Sequence, residues 1–232
     1  MSLSLLAQNL NVIQSKIQLS ASRAGRKLNE ITIVAVTKTL PLEAWNFALQ
    51  NKLTIIGESR IQETENKASH FKHRQNIELH LIGHLQRNKV KKAIEHFDII
   101  QTVDSIRLLE KINQVSKEED KNQKIFIQIN TAADPNKFGF STKQIFTAAE
   151  KTTKLQNITL RGIMTIPPQN ISKNEIKNIY KQTREIKDAI QQSIENKCQY
   201  LSMGMSNDFE IAITEGATHI RLGAALFGER PQ

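Results

Sequence analysis

The chain is poor in the residues that would place it in several classes of protein. A single cysteine, Cys198, stands among 232 residues, which excludes an internal disulfide framework and fits a reducing compartment. No stretch approaches the roughly 18 consecutive apolar residues that a membrane span needs. Polar residues such as Gln8 and Lys16 interrupt the amino-terminal apolar positions too often for a signal peptide. We therefore expect a soluble cytoplasmic protein with no membrane partner.

Aromatic residues are also scarce, at 5% of the chain, and this leaves little stacking surface for bases. The formal net charge is +9, but Lys and Arg are interleaved with Asp and Glu along the whole chain. The run Arg87, Lys89, Lys91 and Lys92 reads first as a solvated helix face and second as a patch for a polyanion. Nucleic acid is therefore not the expected partner, and phosphorylated small molecules suit the basic bias equally well.

The chain has no Pro/Gly/Ser-rich linker, tandem repeat or low-complexity tract. It has eight short apolar runs separated by helical segments, at 31–38, 53–56, 77–82, 99–100, 125–129, 158–161, 200–203 and 219–222. Strands that alternate with helices predict a parallel sheet, because each crossover must be covered by a helix. We expect the α/β class and a single-domain (β/α)8 barrel of the TIM type.

Apolar residues before the first run follow a helical spacing, with Leu6, Leu10, Ile13 and Ile17 on one face. They predict an additional amino-terminal helix that packs against the barrel. The predicted domain covers residues 1–232, with the helix within 1–28 and the barrel over 31–230.

Five glycines stand at or just past the ends of the apolar runs, namely Gly57, Gly83, Gly162, Gly204 and Gly223. Such positions need unusual backbone angles or a close approach to a ligand. In a barrel all of them fall on the face that carries the chemistry.

Lys38 closes the first apolar run, where a buried β strand should end. Partial desolvation at such a position disfavours the ammonium and favours a neutral amine that can attack an aldehyde. Lys38 is therefore a Schiff-base candidate. The alternative is a lysine that only extends from a strand end into solvent.

The segment 202–208 carries a glycine and two serines before a helical pattern. Backbone N–H groups at a helix start form a ready anion site, although a plain N-cap by Ser206 or Asn207 is the competing interpretation. The next strand exit, at 221–225, again has small residues before a helix. Phosphate sites built from the loops after strands seven and eight recur in these barrels.

Other polar residues at strand exits have two interpretations each. Arg221, within the eighth strand, is predicted to point into the barrel mouth, where it either pairs with a carboxylate or donates to a ring nitrogen or phosphate. His84 is either a cofactor neighbour or a cap or surface group. Ser59 or Arg60 is a possible ligand contact. His80 and His84 straddle a strand exit without a third ligand, so no zinc site is expected.

Capping residues and two carboxylates give further expectations. Asp104 is predicted to cap the helix that follows it, and Ser172 with Glu175 forms a capping box. Glu58 and Glu63 do not form a convincing acid/base pair.

Six ordered blocks together resemble the pyridoxal phosphate homeostasis protein family, single-domain relatives of the amino-terminal barrel of alanine racemase. The blocks are Val34–Lys38, Gly57–Glu63, His80–Gln86, Leu160–Pro167, Leu201–Ser206 and Arg221–Gly228, and the match runs from about Ile31 to Arg230.

This resemblance implies that pyridoxal 5′-phosphate (PLP) is the cofactor and that Lys38 holds it as a Schiff base. It implies that Ser206, Gly223 and Ala224 hold the phosphate and that Arg221 faces the pyridine nitrogen. Cofactor contacts are also expected at His84 and at Ser59, where the family usually has asparagine.

An arginine opposite the pyridine nitrogen favours an unprotonated ring, which is a poorer electron sink. Alanine racemase adds a second domain with a tyrosine base, whereas this chain reaches Gln232 just past its eighth strand. Tyr180 and Tyr200 are its only tyrosines, and neither is placed to act as that base. The expected function is therefore a non-catalytic carrier or buffer of PLP. Its expected partners are PLP and apo PLP-dependent enzymes that accept it, and a monomer is expected.

Two other classes stay open on the sequence. One is a catalyst, either a PLP-dependent racemase completed by a partner or a Schiff-base lyase on a sugar phosphate. The other is a nucleic-acid-binding regulator that uses the segment 87–92, although no groove-reading motif supports it.

Overall fold

Eight parallel strands form the centre of the molecule, in a computed structural model that describes residues 3–194 and 198–228. The strands are β1 (Thr32–Val36), β2 (Ile55–Glu58), β3 (Glu78–Leu81), β4 (Ile99–Val103), β5 (Gln123–Ile129), β6 (Ile158–Thr165), β7 (Tyr200–Ser202) and β8 (His219–Leu222). Each pairs with the next, and β8 returns to β1, with Thr32 opposite His219 and Ala35 opposite Leu222. The predicted (β/α)8 barrel is confirmed.

Helices surround this barrel. They are α1 (Leu3–Arg23), α2 (Glu43–Gln50), α3 (Ile61–His70), α4 (Val90–His96), α5 (Ile106–Glu118), α6 (Gln144–Thr153), α7 (Lys173–Ser193), α8 (Phe209–Thr214) and α9 (Ala224–Phe227). Each strand is therefore followed by a helix that covers its crossover. Strand β4 is longer than the predicted run at 99–100. Its polar residues Gln101 and Thr102 interrupt the apolar pattern on which that prediction was based.

Helix α1 completes the outer layer where the barrel's own last helix is short. The predicted apolar face, Leu6, Leu10, Ile13 and Ile17, is buried. It packs against α8 and α9, and Asn9 Nδ2 donates to the Leu226 carbonyl at 3.1 Å. With only four residues in α9, part of the apolar surface near β8 would be exposed without α1.

The structure ends α1 at Arg23, earlier than the predicted bound at Leu28. Gly25 adopts a left-handed conformation, with φ of 65°, and the amide of Arg26 donates to the Ala21 carbonyl at 2.9 Å. This is the hydrogen-bond pattern of a Schellman C-cap. The expected barrel end at Arg230 and the first residue of the predicted domain lie outside the described residues.

Two predicted caps have different outcomes. The capping box is confirmed, because Ser172 accepts from the amide of Glu175 and the Glu175 carboxylate accepts from the amide of Ser172. The cap at Asp104 is wrong. Ser105 caps α5 instead, accepting from the amide of Leu108 at 3.3 Å, while the Asp104 carboxylate lies 3.0 Å from His84 Nδ1.

Within residues 3–194 and 198–228, no helix is both long enough and apolar enough to cross a membrane.

Candidate functional site

A cavity of about 550 Å³ opens at the carboxyl ends of the strands, a volume typical of small-molecule sites. Five residues predicted as cofactor contacts line it: Lys38, Ser206, Arg221, Gly223 and Ala224. A larger groove of about 780 Å³ runs outside the barrel along α3, and neither Lys38 nor Arg221 is among its lining residues in the described chain. The smaller cavity is therefore the candidate site.

Lys38 lies in the turn that follows β1, two residues beyond the end of the strand, and its side chain is half-buried. The next residue, Thr39, has a positive φ of 64°, a rare conformation for a β-branched residue. Its amide donates to Glu63 Oε1 at 2.6 Å. Strained backbone of this kind persists where surrounding contacts hold it, and it is enriched at functional sites.

A buried ionic network supports this turn from behind. Lys67 Nζ lies 2.8 Å from Glu58 Oε1 and 2.7 Å from Glu63 Oε1, and it also donates to the Thr37 carbonyl at 3.0 Å. Trp45 Nε1 donates to the Thr37 hydroxyl at 2.9 Å. Glu58 is fully buried, so it depends on these partners. The two glutamates are held in a structural network, in keeping with the view that they are not an acid/base pair.

The loop after β7 meets the start of α9 at one wall of the cavity. Ser206 Oγ accepts a hydrogen bond from the amide of Ala225 at 3.0 Å. The N-cap interpretation of Ser206 and Asn207 is wrong, because Asp208 occupies the N-cap position of α8. The Asp208 carboxylate accepts from the amide of Met205 at 2.5 Å and so closes the loop. The Ser206 hydroxyl thus does not cap α8 but binds an amide in the first turn of α9, and Ser206 lines the cavity.

Gly223 and Ala224 complete this wall with backbone and almost no side chain. A Cβ added at Gly223 would have its nearest neighbours, Val36 Cβ and the Val36 carbonyl oxygen, at 3.5 Å. That is ordinary van der Waals contact. The packing of the protein therefore does not itself require glycine here, whereas a bound group that approaches the backbone closely would require it.

Arg221 points from β8 into the barrel mouth, as predicted, and is only 4% exposed. Its guanidinium donates to Ser202 Oγ at 2.8 Å and to the Thr165 carbonyl at 2.9 Å. Burial lowers its pKa, while Tyr180 and Asp208 act in the opposite direction. A guanidinium remains a cation under such conditions. Among the described ion pairs none joins Arg221 to a carboxylate, so its charge is available to a ligand in the cavity.

The Ser59 and His84 side chains, both predicted as cofactor contacts, are not among the described residues that line the cavity. The Ser59 backbone packs against Gly83, where an added Cβ would lie 2.3 Å from the Ser59 carbonyl oxygen. The His84 ring stacks on Phe138 with centroids 3.7 Å apart, and it pairs with Asp104. The described contacts of the His84 ring are therefore with Phe138 and Asp104.

Neither tyrosine lines the cavity within the described chain. Tyr180 is fully buried on α7, and burial raises the pKa of its phenol well above the usual value, with Asp208 adding to the effect. A phenol with a raised pKa is a poor proton acceptor at neutral pH. Tyr200 stands at the start of β7, with its ring 4.9 Å from the Arg161 guanidinium.

The loop between β6 and α7, to which the sequence patterns assigned no role, lines the same cavity as Lys38. Ile166, Pro167 and Asn170 line the cavity there. The two prolines directly after a buried strand were the available signal, because they mark a rigid exit.

Two of the four basic residues in the run after β3 are paired with acidic side chains. Lys91 Nζ lies 2.8 Å from Glu119, and Lys92 Nζ lies 2.9 Å from Glu65. This pairing favours the solvated-face interpretation over a polyanion patch. Among residues 3–194 and 198–228, no cluster of three or more His, Cys, Asp or Glu side chains is arranged to hold a metal ion.

Comparison with known proteins agrees with this geometry. The family described as alanine racemase, N-terminal domain, matches residues 2–231. A pyridoxal phosphate homeostasis protein of Vibrio alginolyticus is 35% identical over 232 residues, which cover 98% of this chain and 99% of the relative. This chain belongs to the pyridoxal phosphate homeostasis protein family. The protein of that name from Escherichia coli strain K12 is 34% identical and covers 97% of both chains.

Solved structures extend this comparison. PipY of Synechococcus elongatus with PLP bound is a member of the same family, with 32% identity and a TM-score of 0.81 over 92% of this chain and all of that chain. Alanine racemase of Clostridium difficile shares 18% identity at a TM-score of 0.76. It covers 98% of this chain but only 60% of its own length, and this likeness shows a shared barrel fold alone.

Proposed function

We propose that this chain binds PLP as a Schiff base on Lys38 and acts in PLP homeostasis as a carrier or buffer of the cofactor, without robust catalysis of its own. The observation that carries the proposal is the buried Arg221 guanidinium, which lines the same cavity as Lys38 and forms no described ion pair with a carboxylate. A ligand with an acceptor nitrogen or oxygen would satisfy it. A family member with PLP bound adds support.

Each end of PLP has a proposed partner in this cavity. Lys38 would supply the amine that condenses with the aldehyde carbon, and the carbonyl oxygen would leave as water. Ser206, with the backbone of Gly223 and Ala224, holds the phosphate, because this wall offers a hydroxyl, a bare backbone and the small residues that permit close approach. Arg221 faces the pyridine nitrogen. Ser59 and His84 have no part in this assignment.

The residues around the cavity favour a carrier over a catalyst. Arg221 donates hydrogen bonds and accepts none, so it favours an unprotonated pyridine nitrogen and weakens the ring as an electron sink. The buried Tyr180 phenol keeps its proton at neutral pH. The proposal includes a cytoplasmic monomer that hands PLP to apo enzymes.

We expect wild type titrated with PLP to develop a visible absorption band that borohydride makes permanent, because reduction converts an imine to a stable amine. Lys38→Ala should lack the reducible band. Lys154→Ala serves as the matched control and should behave as wild type, because the Lys154 side chain is 70% exposed and is not among the described residues that line the cavity. A band of equal size in Lys38→Ala would place the imine on another lysine and contradict the assignment.

A second titration separates a carrier from a catalyst. The loaded protein is mixed with each common amino acid, and both the spectrum and the chirality of the amino acid are followed. We expect no turnover at ordinary enzyme rates. Racemisation or decarboxylation at such rates would overturn the carrier proposal while leaving PLP binding intact.

A further inference from the structure

The barrel strands carry both a small apolar cluster and a set of buried polar residues. Ile99, Phe126 and Met164 form the buried apolar cluster. The buried polar residues are His80, Gln101, Ser202 and Arg221. Polar groups in such a position are costly unless each one is hydrogen-bonded. Their arrangement therefore needs an explanation.

These residues form one continuous chain of hydrogen bonds that begins at Glu78. Glu78 Oε1 lies 2.7 Å from His80 Nε2, and His80 Nδ1 lies 2.6 Å from Gln101 Nε2. Gln101 Oε1 accepts from Ser202 Oγ at 2.7 Å, and Ser202 Oγ accepts from Arg221 Nη1 at 2.8 Å. Glu78 stands at the start of β3 with its side chain 34% exposed, so the chain joins the amino-terminal end of the barrel to the cavity.

The direction of every bond follows from the chemistry of the two ends. Arg221 can only donate hydrogen bonds, so Ser202 Oγ accepts from it. The Ser202 hydroxyl in turn donates a hydrogen bond to Gln101 Oε1. The Gln101 amide nitrogen then donates to His80 Nδ1, which leaves the imidazole proton on Nε2 for the Glu78 carboxylate. Donation thus runs one way from a permanent cation to an anion.

We propose that Gln101 and His80 are positioning residues for Arg221. The chain of hydrogen bonds that contains them couples the Glu78 carboxylate to the cofactor cavity through the barrel interior. The proposal rests on the proposed function, since it takes Arg221 to face the pyridine nitrogen of PLP. The Arg221 guanidinium donates one hydrogen bond to Ser202 and one to the Thr165 carbonyl. Removal of the Gln101 amide, which accepts from Ser202, would leave the Ser202 hydroxyl without a fixed orientation and so free Arg221 to rotate.

Charged and titratable side chains surround His80 at this end of the hydrogen-bonded chain. The hydrogen bond from His80 lowers the Glu78 pKa, so this carboxylate is ionised at neutral pH. Lys124 Nζ lies 3.7 Å from its other oxygen. The His219 ring stacks on His80 with centroids 6.1 Å apart, and burial lowers its pKa to about 3, so it is neutral. The cations Arg161 and Arg221 also act on His219 and lower its pKa.

A proton on His80 Nδ1 would break the sequence of donors. Gln101 would have to rotate its amide and present its NH2 group to Ser202. Ser202 Oγ would then face two donors, one of them Arg221, and its own proton would lose its acceptor. The arrangement around Arg221 therefore depends on the tautomer of His80, which the Glu78 carboxylate selects.

The experiment compares wild type with Gln101→Leu and Glu78→Gln in the full chain. For each we would measure the Kd for PLP, the pH midpoint of the visible band of the bound cofactor, and the Tm. Gln101→Leu should raise the Kd by ~10-fold, within the range of typical couplings between sites. It should also move the pH midpoint upward, because a displaced guanidinium no longer suppresses protonation of the ring nitrogen. Glu78→Gln should also raise the Kd and the pH midpoint, but by a smaller amount than Gln101→Leu.

Thr183→Val is the matched control. Thr183 and Thr131 share a buried hydroxyl pair at 2.8 Å, outside the chain that ends at Arg221. The variant removes a buried hydrogen bond at nearly constant volume, so it should lower the Tm and leave the Kd and the pH midpoint unchanged.

The outcomes separate this inference from the proposed function. If wild type has no Lys38-dependent band, the proposed function is wrong, and the proposed coupling between Glu78 and the cofactor cavity is wrong as well. If wild type has the band but Gln101→Leu lowers only the Tm, as Thr183→Val does, the chain is merely structural and the inference is overturned. Should Gln101→Leu fail to fold, Glu78→Gln decides, because it changes a half-exposed position.

Discussion

At the scale of single residues, two glycines near the cavity serve different purposes. Gly204 has a φ of +90°, and a Cβ there would lie 2.5 Å from Ala212 Cβ. The fold itself therefore needs glycine at Gly204. Gly223 has a negative φ and room for a Cβ, so its lack of a side chain benefits whatever binds beside Ala224.

We expect Gly204→Ala to lower the free energy of unfolding by ~1–3 kcal/mol, because it combines a strained backbone with a close contact. Gly223→Ala should unfold close to wild type but bind PLP more weakly, since its methyl group occupies the proposed phosphate wall. Urea unfolding and PLP titration of both variants test this. Equal PLP affinity of Gly223→Ala and wild type would contradict the phosphate assignment at this wall.

At the scale of elements, the turn that carries Lys38 is held by a different part of the chain. The strained Thr39 and the carbonyl of Thr37 are bound by α3 through Glu63 and Lys67. Lys67 also neutralises the fully buried Glu58 at the end of β2. Helix α3 thus fixes the geometry of β1's exit, although no residue of α3 lines the cavity in the described chain.

Replacement of Lys67 by methionine should lower the free energy of unfolding by about 3–5 kcal/mol, because it leaves the Glu58 carboxylate buried without a cation. Lys92→Met is the control, since Lys92 pairs with Glu65 at the surface and should matter little. Chemical denaturation of both variants gives the comparison. If the two variants are equally stable, the network does not hold the turn.

At the scale of the whole molecule, stability should depend on pH through the barrel interior. Burial lowers the pKa of His219 to about 3, from an ordinary value of 6.5. Between these two values the unfolded chain binds the proton and the folded chain does not. Acid therefore favours unfolding, and the contribution of neutral His219 is complete above pH 6.5 and is lost as the pH falls towards 3.

The free energy of unfolding should fall between pH 7.5 and 5, by at most about 1.4 kcal/mol per pH unit from this one residue. Glu78 and Glu175, whose pKa values are lowered, remain ionised over this interval, so they do not obscure the effect. His219→Gln removes the titrating ring and should flatten the profile measured by urea unfolding. An unchanged slope in that variant would assign the pH dependence to other groups.

The order and type of the elements were largely determined by the sequence alone. Apolar runs of strand length, glycines at their ends and the spacing of Leu6, Leu10, Ile13 and Ile17 reflect local periodicity, and such periodicity follows from which face each element buries. The same local periodicity predicted that Lys38 and Arg221 lie near strand ends. The resemblance named the cofactor, which no local pattern could specify.

Only the tertiary structure decided which polar residues meet. The buried chain from Glu78 to Arg221 joins residues from four different strands. Ser59 and His84 were predicted at the cavity because they follow strand ends, and the structure adds that the Ser59 backbone packs against Gly83 and the His84 ring stacks on Phe138. Periodicity along a chain indicates that a residue faces inward, but strand register and barrel closure determine which inward-facing residues touch.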